Sequence, residues 1–271
     1  MGSRLAITSS ESSLEQVWSS LRASGRRALI PYLTAGYPGV DASRDALRRA
    51  AEVSDILEIG VPFSDPLADG PTIQRSTFEA LRHGMTLPGT LELIAGAELH
   101  RPVVVFSYVN PILRYGVERF LSDAAALGVA GLILTDLPAG SDRAVETAVQ
   151  RSSLDLIRLI APTTRAERLA TAVRDAQGFV YLVARLGVTG ATATLSGTLA
   201  ESVAAVRQAT TLPVAVGFGI STPEQAKAVA GFADGVVVGS ALVDVLGRDG
   251  VAAAGRFLTS FRRALDREVA S

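Results

Sequence analysis

The stretch DILEIGVPFSDPLADGPTIQ, residues 55–74, joins an apolar run to a loop that carries several acids. Residues 55–61 are mostly apolar without strict alternation, and such a run predicts a parallel strand covered on both faces. Glu58 nevertheless stands inside this run, and Asp65 and Asp69 follow among Pro and Gly residues. Because a buried ionised carboxylate without a partner costs free energy, these acids are candidates for chemistry.

Similar apolar runs recur along the chain, and each is followed by a segment with helical periodicity. The eight runs are residues 28–34, 55–61, 102–108, 130–136, 154–160, 179–185, 212–218 and 234–240. Eight strand–helix units predict an α/β protein with a (β/α)8 TIM barrel, preceded by an extra N-terminal helix near Leu14–Ala23. The rival, a doubly wound sheet, normally shows a GxGxxG motif after an early strand, and LTAGYPG does not match it.

Composition and charge limit the domain organisation and the class of function. No linker divides the 271 residues, so we expect one barrel domain, residues 1–271, of which residues 1–12 are flexible. The net charge is −1 and the basic residues are scattered, which argues against binding to nucleic acid or to a membrane surface. With no signal-like N-terminus, no membrane-length apolar run and no cysteine, we expect a soluble cytoplasmic enzyme.

Rare residue types exclude several chemistries. Lys227 is the only lysine and lies in a predicted helix, which argues against a Schiff-base aldolase. His83 and His100 are the only histidines and lie at or beyond helix ends, so a His–acid metal site is not expected. Acid–base chemistry by carboxylates on a phosphorylated substrate remains, with tyrosines near the strand ends as helpers, namely Tyr32, Tyr108 and Tyr181.

Glycine-containing loops follow the last three predicted strands. They contain Gly187 and Gly190 after strand 6, Gly217 and Gly219 after strand 7, and Gly239 with Ser240 after strand 8. In this fold the loops after strands 7 and 8 commonly bind phosphate at a helix N-terminus. The alternative for each glycine is that it only closes a tight turn, but the pattern at two adjacent strand ends favours phosphate binding.

The acids differ in their predicted positions relative to the barrel mouth. Glu58 near the end of strand 2 and Asp69 in the following loop can both face the mouth, although Glu58 could instead bond loop backbone. Asp65 precedes a proline and fits an Asx-turn. Asp55 begins the strand at the opposite end and is interpreted as structural, whereas Asp136 could act in the site or cap its loop.

Several motifs together resemble one family. LEIGVPFSDPLADGPTIQ resembles the signature of the tryptophan synthase alpha subunit. The similarity continues in the family's order from about residue 14 to 265, through PYLTAGYPG, SYVNPI, TDLP, APTT, YLVARLGVTG, VGFGIS and VVVGSA. The resemblance implies a (β/α)8 barrel that cleaves indole-3-glycerol phosphate to indole and glyceraldehyde 3-phosphate. In this retro-aldol reaction the indole ring, protonated at C3, is the electron sink, so neither an imine nor a metal is needed.

The resemblance also implies a role for individual residues. Glu58 matches the general acid–base residue, Asp69 the residue that faces the indole N–H, and Tyr181 a tyrosine beside the reacting centre. Positions that match phosphate ligands are Gly190, Gly219, Gly239 and Ser240, and Thr189 matches a loop residue that closes over the site. Positions that match the apolar indole pocket are Tyr32, Phe106, Ile133 and Leu159.

A partner is implied as well, the beta subunit of an alpha2beta2 tetramer, which receives indole through a tunnel. Pyridoxal phosphate is expected only in that subunit, with no cofactor and no metal in this chain; Asp65 and Asn110 match positions at the interface. Three residues depart from the family pattern and affect the expected shape of the indole pocket: Thr135, Tyr32 and Arg158. Three alternatives remain open, namely a stand-alone lyase releasing free indole, a non-catalytic phosphate-binding barrel acting as an allosteric partner, and a phosphosugar isomerase.

Overall fold

Parallel strands form a closed barrel, as the apolar runs predict. A computed structural model describes residues 12–161, 163–184, 192–217 and 219–266. Within these residues the strands are β1 Ala28–Thr34, β2 Leu57–Gly60, β3 Val103–Ser107, β4 Val129–Leu134, β5 Asp155–Ile160, β6 Val180–Val183, β7 Val214–Gly217 and β8 Gly235–Val238. Each strand pairs with the next one along the chain, and β8 closes on β1, so the (β/α)8 prediction is confirmed. Most strands are shorter than the apolar runs, because residues at the ends of those runs leave the ladder for the loops.

Helices surround the barrel and bury one stripe each against it. They are α1 Ser13–Ala23, α2 Val40–Val53, α3 Pro71–Arg82, α4 Leu87–Ala97, α5 Val109–Tyr115, α6 Val117–Ala126, α7 Arg143–Arg151, α8 Ala166–Val173, α9 Thr192–Ala209, α10 Pro223–Ala230 and α11 Ser240–Asp266. Helix α10 begins with the predicted capping box, in which Thr222 and Gln225 bond each other's backbone N–H groups. Helix α11 is interrupted at Gly250, which has a φ of 81°. In the part of the chain that is described, no helix combines the length and apolarity needed to cross a membrane.

The predicted extra N-terminal helix, α1, covers the N-terminal end of the barrel. Ser12 caps it by accepting the Glu15 N–H, whereas residues 1–11 lie outside the described residues. Trp18 packs against Phe179, which directly precedes β6, with ring centroids 5.5 Å apart. The same ring approaches Gly235, the first residue of β8, so closely that a Cβ there would lie 2.9 Å from it. The barrel is therefore covered at this end, and the opposite end carries the loops of interest.

A buried ion pair joins the N-terminal end of β2 to the last helix. Asp55 accepts a hydrogen bond from the Leu29 N–H at 2.9 Å and one from Arg262 Nη1 of α11 at 2.8 Å. Both side chains are buried. The structural interpretation of Asp55 is confirmed.

Arg158 in β5 has a structural partner on the outer side of the barrel. Its Nη2 lies 2.7 Å from Glu146 Oε1 of α7, and its Nη1 donates to the Leu137 carbonyl at 3.1 Å. The same Glu146 oxygen accepts the Gly140 N–H at 2.8 Å. This departure from the family pattern therefore holds the connection between β4 and α7, and Arg158 does not line the cavity at the barrel mouth.

Candidate active site

Glu58 lies on the inner face of β2 with one carboxyl oxygen unpartnered. Its backbone is in register with Tyr32 of β1 and Val104 of β3, and the residue is only 1% exposed. Among the described residues nothing bonds its Oε2. Burial, followed by the charge of Asp69, raises the pKa of Glu58 to about 8. A carboxyl group in this state holds a proton at neutral pH and can give it to a substrate.

Asp69 reaches the same space from the loop between β2 and α3. Its N–H donates to the Pro66 carbonyl at 3.1 Å, and Gln74 Nε2 of α3 donates to the Asp69 carbonyl at 3.0 Å. The Tyr108 hydroxyl lies 3.3 Å from Asp69 Oδ2. Burial raises the pKa of Asp69 to about 6, and the hydrogen bond from Tyr108 acts in the opposite direction. Asp69 is therefore mostly ionised at neutral pH, whereas Glu58 is mostly protonated.

A small cavity at the C-terminal end of the barrel brings most of the predicted site together. It is lined by Tyr32, Glu58, Asp69, Ile73, Phe106, Tyr181, Gly219, Gly239 and Ser240. Tyr32 and Phe106 form an edge-to-face pair with ring centroids 5.4 Å apart. Sequence reasoning missed Ile73, although its place in the first turn after DGP and on the buried face of α3 could have indicated it.

Two predicted pocket residues do not line this cavity. Ile133 of β4 is in register with Phe106, and Leu159 of β5 is in register with Tyr181, so both stand on the inner face of the barrel without being among the residues that line the cavity. Thr189 and Gly190, and Gly187 with them, lie outside the described residues. Their predicted roles in closing the site and holding phosphate remain predictions.

Two glycines at strand ends make room for tyrosine side chains. A Cβ on Gly60 would lie 2.1 Å from the Tyr32 hydroxyl, and a Cβ on Gly217 would lie 2.1 Å from the Tyr181 hydroxyl. Both tyrosines are buried, and burial is the main cause that raises their pKa values, so both hydroxyls stay protonated. Gly217, which the sequence grouped with the phosphate loops, thus has a packing reason for lacking a side chain.

The remaining predicted phosphate residues lie at the edge of the cavity. Gly219 follows β7 with a φ of 84°, a conformation that favours glycine. Gly239 precedes α11, and its carbonyl accepts the Val243 N–H at 3.0 Å, so α11 begins with free N–H groups around Ser240. A helix N-terminus of this kind can bind an anion.

The lysine and the two histidines, which the sequence does not favour as catalytic or metal-binding residues, lie away from the site. Lys227, His83 and His100 are exposed, as predicted. In the ranges that the structure describes, no group of three or more His, Asp or Glu side chains is placed to hold a metal ion.

The predicted interface residues are exposed, one in the loop after β2 and the other at the start of α5. Asp65 accepts a hydrogen bond from the Ser64 hydroxyl at 2.6 Å, and Asn110 lies in the first turn of α5. Asp136 Oδ1 accepts the Val109 N–H at 2.8 Å, so Asp136 caps the neighbouring helix α5. The sequence leaves open a role for Asp136 in the site or as a capping residue, and the observed hydrogen bond is a capping one, made to α5.

Comparisons with known proteins agree with this geometry. The profile of the family described as "Tryptophan synthase alpha chain" matches residues 18–263. A protein of that name from Geobacter sulfurreducens is 45% identical over 251 residues, which are 92% of this chain and 95% of that protein. One from Synechococcus elongatus is 44% identical over 94% of this chain and 97% of its own length.

Solved structures give the same result. Tryptophan synthase subunit alpha from Legionella pneumophila superposes with a TM-score of 0.87 at 34% identity, covering 95% of this chain and all of that one. A chain of Mycobacterium tuberculosis tryptophan synthase gives a TM-score of 0.86 at 41% identity, covering 94% of this chain and 99% of that one. Because the family profile and these relatives match almost the whole chain, and the barrel and its two carboxylates agree with them, the chain belongs to the tryptophan synthase alpha chain family.

Proposed function

We propose that Glu58 and Asp69 carry out the reaction of this family, the cleavage of indole-3-glycerol phosphate to indole and glyceraldehyde 3-phosphate. The observation that carries the assignment is the buried Glu58 carboxyl group, which has an unpartnered oxygen and lines the same cavity as Asp69. A buried polar group without a partner is costly for folding, and such groups are frequent where chemistry needs them. The pKa values of about 8 for Glu58 and about 6 for Asp69 support a protonated donor and an ionised carboxylate in one site.

In this proposal Glu58 moves the proton on which the reaction depends. The protonated carboxyl group delivers its proton to C3 of the indole ring and becomes a carboxylate. It then accepts the proton of the hydroxyl on the carbon attached to C3. The C3–carbon bond breaks, the hydroxyl carbon becomes the aldehyde, and the bonding pair returns to the ring. One carboxyl group thus gives a proton and recovers one, and Tyr181, which lines the same cavity, lies beside this centre.

Asp69 acts at the opposite side of the ring. Protonation at C3 places positive charge on the ring nitrogen, and an ionised carboxylate near the N–H stabilises this charge. The ring is held between Tyr32, Phe106 and Ile73, which supply the apolar wall of the cavity. The phosphate group is assigned to Gly219, Gly239 and Ser240, and the roles of Gly190 as a further phosphate ligand and of Thr189 as a closing residue stay predictions.

A beta subunit is the proposed partner, in an alpha2beta2 assembly. Support comes from the M. tuberculosis tryptophan synthase structures and from Asp65 and Asn110, which are exposed in the loop after β2 and in the first turn of α5. Pyridoxal phosphate is assigned to that partner, and a cytoplasmic location is proposed from the biosynthetic role of the family.

An indole-release assay tests the proposal. The purified chain, with and without a beta subunit, is given indole-3-glycerol phosphate, and Asp69→Asn is compared with Asp41→Asn on the exposed face of α2. We expect release by the unmodified chain, acceleration by the beta subunit, and a fall of at least about 10²-fold for Asp69→Asn alone.

Three outcomes would change the assignment. Full activity without any response to a beta subunit supports a stand-alone lyase. Binding of a phosphate ligand without cleavage supports a non-catalytic barrel. Normal turnover in Asp69→Asn removes Asp69 from the mechanism.

A further inference from the structure

We propose that Tyr108 is a positioning residue for Asp69, and that its hydroxyl fixes which oxygen of this carboxylate is free for the substrate. The inference rests on the proposed role of Asp69. Tyr108 directly follows β3 and precedes α5, whereas Asp69 belongs to the preceding loop, so the contact joins two neighbouring loops at the barrel mouth.

The hydrogen bonds of Tyr108 have a defined direction. The Ala68 N–H donates to the Tyr108 hydroxyl oxygen at 2.9 Å, so this oxygen already acts as an acceptor. The hydroxyl has one proton to donate, and the ionised Asp69 carboxylate has none. The Thr135 hydroxyl also interacts with the Tyr108 hydroxyl, but the ionised Asp69 carboxylate is the stronger acceptor, so the proton points towards Asp69 Oδ2, 3.3 Å from the Tyr108 oxygen. With Oδ2 occupied in this way, Oδ1 is left for the ring N–H.

The phenol is itself held from three directions. Its ring packs against Phe63 at a centroid distance of 5.0 Å, and Tyr108 is buried. The next N–H, that of Val109, donates to Asp136 Oδ1. The preceding carbonyl, that of Ser107, accepts the Thr135 N–H at 3.0 Å. The loops after β2, β3 and β4 thus meet at Tyr108, which gives the Tyr108 oxygen a fixed position.

The contact also affects the charge of Asp69. A donor to a carboxylate favours its ionised form, and Tyr108 opposes the upward effect of burial on the pKa of Asp69. The other groups that face this cluster are Glu58 on β2 and Tyr32 on β1, while Tyr181 on β6 faces Glu58 and Tyr32. None of them is a hydrogen-bond donor to Asp69 among the described contacts, so loss of the Tyr108 hydroxyl should raise the pKa of Asp69.

The test is Tyr108→Phe, with Tyr115→Phe as the matched control. Tyr115 loses the same atom and a hydrogen bond to Asp123 on the outer surface of the barrel. Cleavage of indole-3-glycerol phosphate by the full chain is measured against pH. We expect kcat to fall about tenfold in Tyr108→Phe with little change in KM, from the loss of one hydrogen bond to a charged group. In Tyr108→Phe the acid limb of the pH profile of kcat/KM should move to higher pH. The control Tyr115→Phe should have the same kcat, KM and pH profile as the unmodified chain.

Two further measurements examine whether the effect of the Tyr108 hydroxyl acts through Asp69. In an Asp69→Asn background, Tyr108→Phe should cause no further loss, because its effect acts through Asp69. Placing 3-fluorotyrosine at position 108, a stronger donor of nearly the same shape, should move the acid limb to lower pH even if the Phe variant folds poorly.

Cleavage by the unmodified chain with an unchanged rate and acid limb in Tyr108→Phe overturns the inference and leaves the proposed function intact. An equal tenfold loss in the Asp69→Asn background, or no shift with 3-fluorotyrosine, also overturns it. Absence of cleavage by the unmodified chain counts instead against the proposed function.

Discussion

Asp55, two residues before β2, and Glu58, within β2, are close in sequence and both are buried, but their surroundings differ. Asp55 is 6% exposed and accepts hydrogen bonds from the Leu29 N–H and from Arg262. Glu58 is 1% exposed, and its Oε2 has no partner among the described residues. Burial alone therefore does not distinguish a structural acid from one that is proposed to be catalytic. The difference lies in whether the fold supplies partners for the charge.

The largest expected effect is on catalysis, from Glu58→Gln. Glutamine keeps the shape of the side chain but cannot exchange the proton, so kcat for indole release should fall by about 10²- to 10⁴-fold. The variant should remain folded by circular dichroism, since no hydrogen bond to Oε2 is lost. Near-normal turnover would contradict the assignment of Glu58 as the proton donor.

The second effect should be on stability, from Asp55→Asn. Removing the charge leaves Arg262 buried without its main partner, which typically costs about 3 kcal/mol of unfolding free energy. Urea unfolding should show this loss, while kcat at a temperature where the variant is folded should stay close to that of the unmodified chain. A large loss of kcat with unchanged stability would reverse the comparison between the two acids.

A smaller effect with a defined pH dependence is expected for the stability of Glu58→Gln. The pKa of Glu58 is about 8 in the folded chain, against an ordinary value of 4.5 for a glutamate in water, so folding takes up a proton between these pH values. The stability that this group contributes is present below pH 4.5 and is lost as pH rises towards 8. Glutamine does not titrate. The unfolding free energy of Glu58→Gln relative to that of the unmodified chain should therefore rise by roughly 2 kcal/mol between about pH 5 and 7. Urea unfolding at both pH values measures it, and a constant difference would contradict the raised pKa.

The smallest effect is expected for Asp266→Asn, which sharpens the interpretation of Asp55. Asp266 Oδ1 lies 2.8 Å from Arg262 Nη2, but its side chain is 44% exposed. An exposed ion pair contributes little, so the unfolding free energy should fall by less than about 1 kcal/mol. A loss equal to that of Asp55→Asn would show that burial of the acid is not what makes the pair with Asp55 important.

The sequence predicted the barrel because each strand is an apolar run. It placed Glu58 and Asp69 at the barrel mouth because both stand in one unusual segment, and both line the cavity there. The contacts were harder to predict. Ile73 lines the cavity, and Arg158 reaches Glu146 on an outer helix. Such details depend on strand register and on side-chain direction, which the local pattern of residue types does not determine.

The connection of Tyr108 to Asp69 shows the same limit. A tyrosine near a strand end could be interpreted as a helper, but its role depends on which atoms approach it. The Ala68 N–H donates to the hydroxyl oxygen, and the Asp69 carboxylate is the strongest acceptor beside it, so the proton is directed towards Asp69. Information of this kind comes from the meeting of two loops that are 40 residues apart.

The close contacts of Gly60 with Tyr32 and of Gly217 with Tyr181 restrict the order in which this barrel could evolve. A methyl group on either glycine would lie 2.6 Å from the tyrosine Cζ, so a phenylalanine ring would collide with it as well. The tyrosine must therefore be replaced by a smaller residue before the glycine of the next strand can gain a side chain. A mutational path that reverses this order passes through an overpacked intermediate, and a redesign of the pocket has to change each pair together.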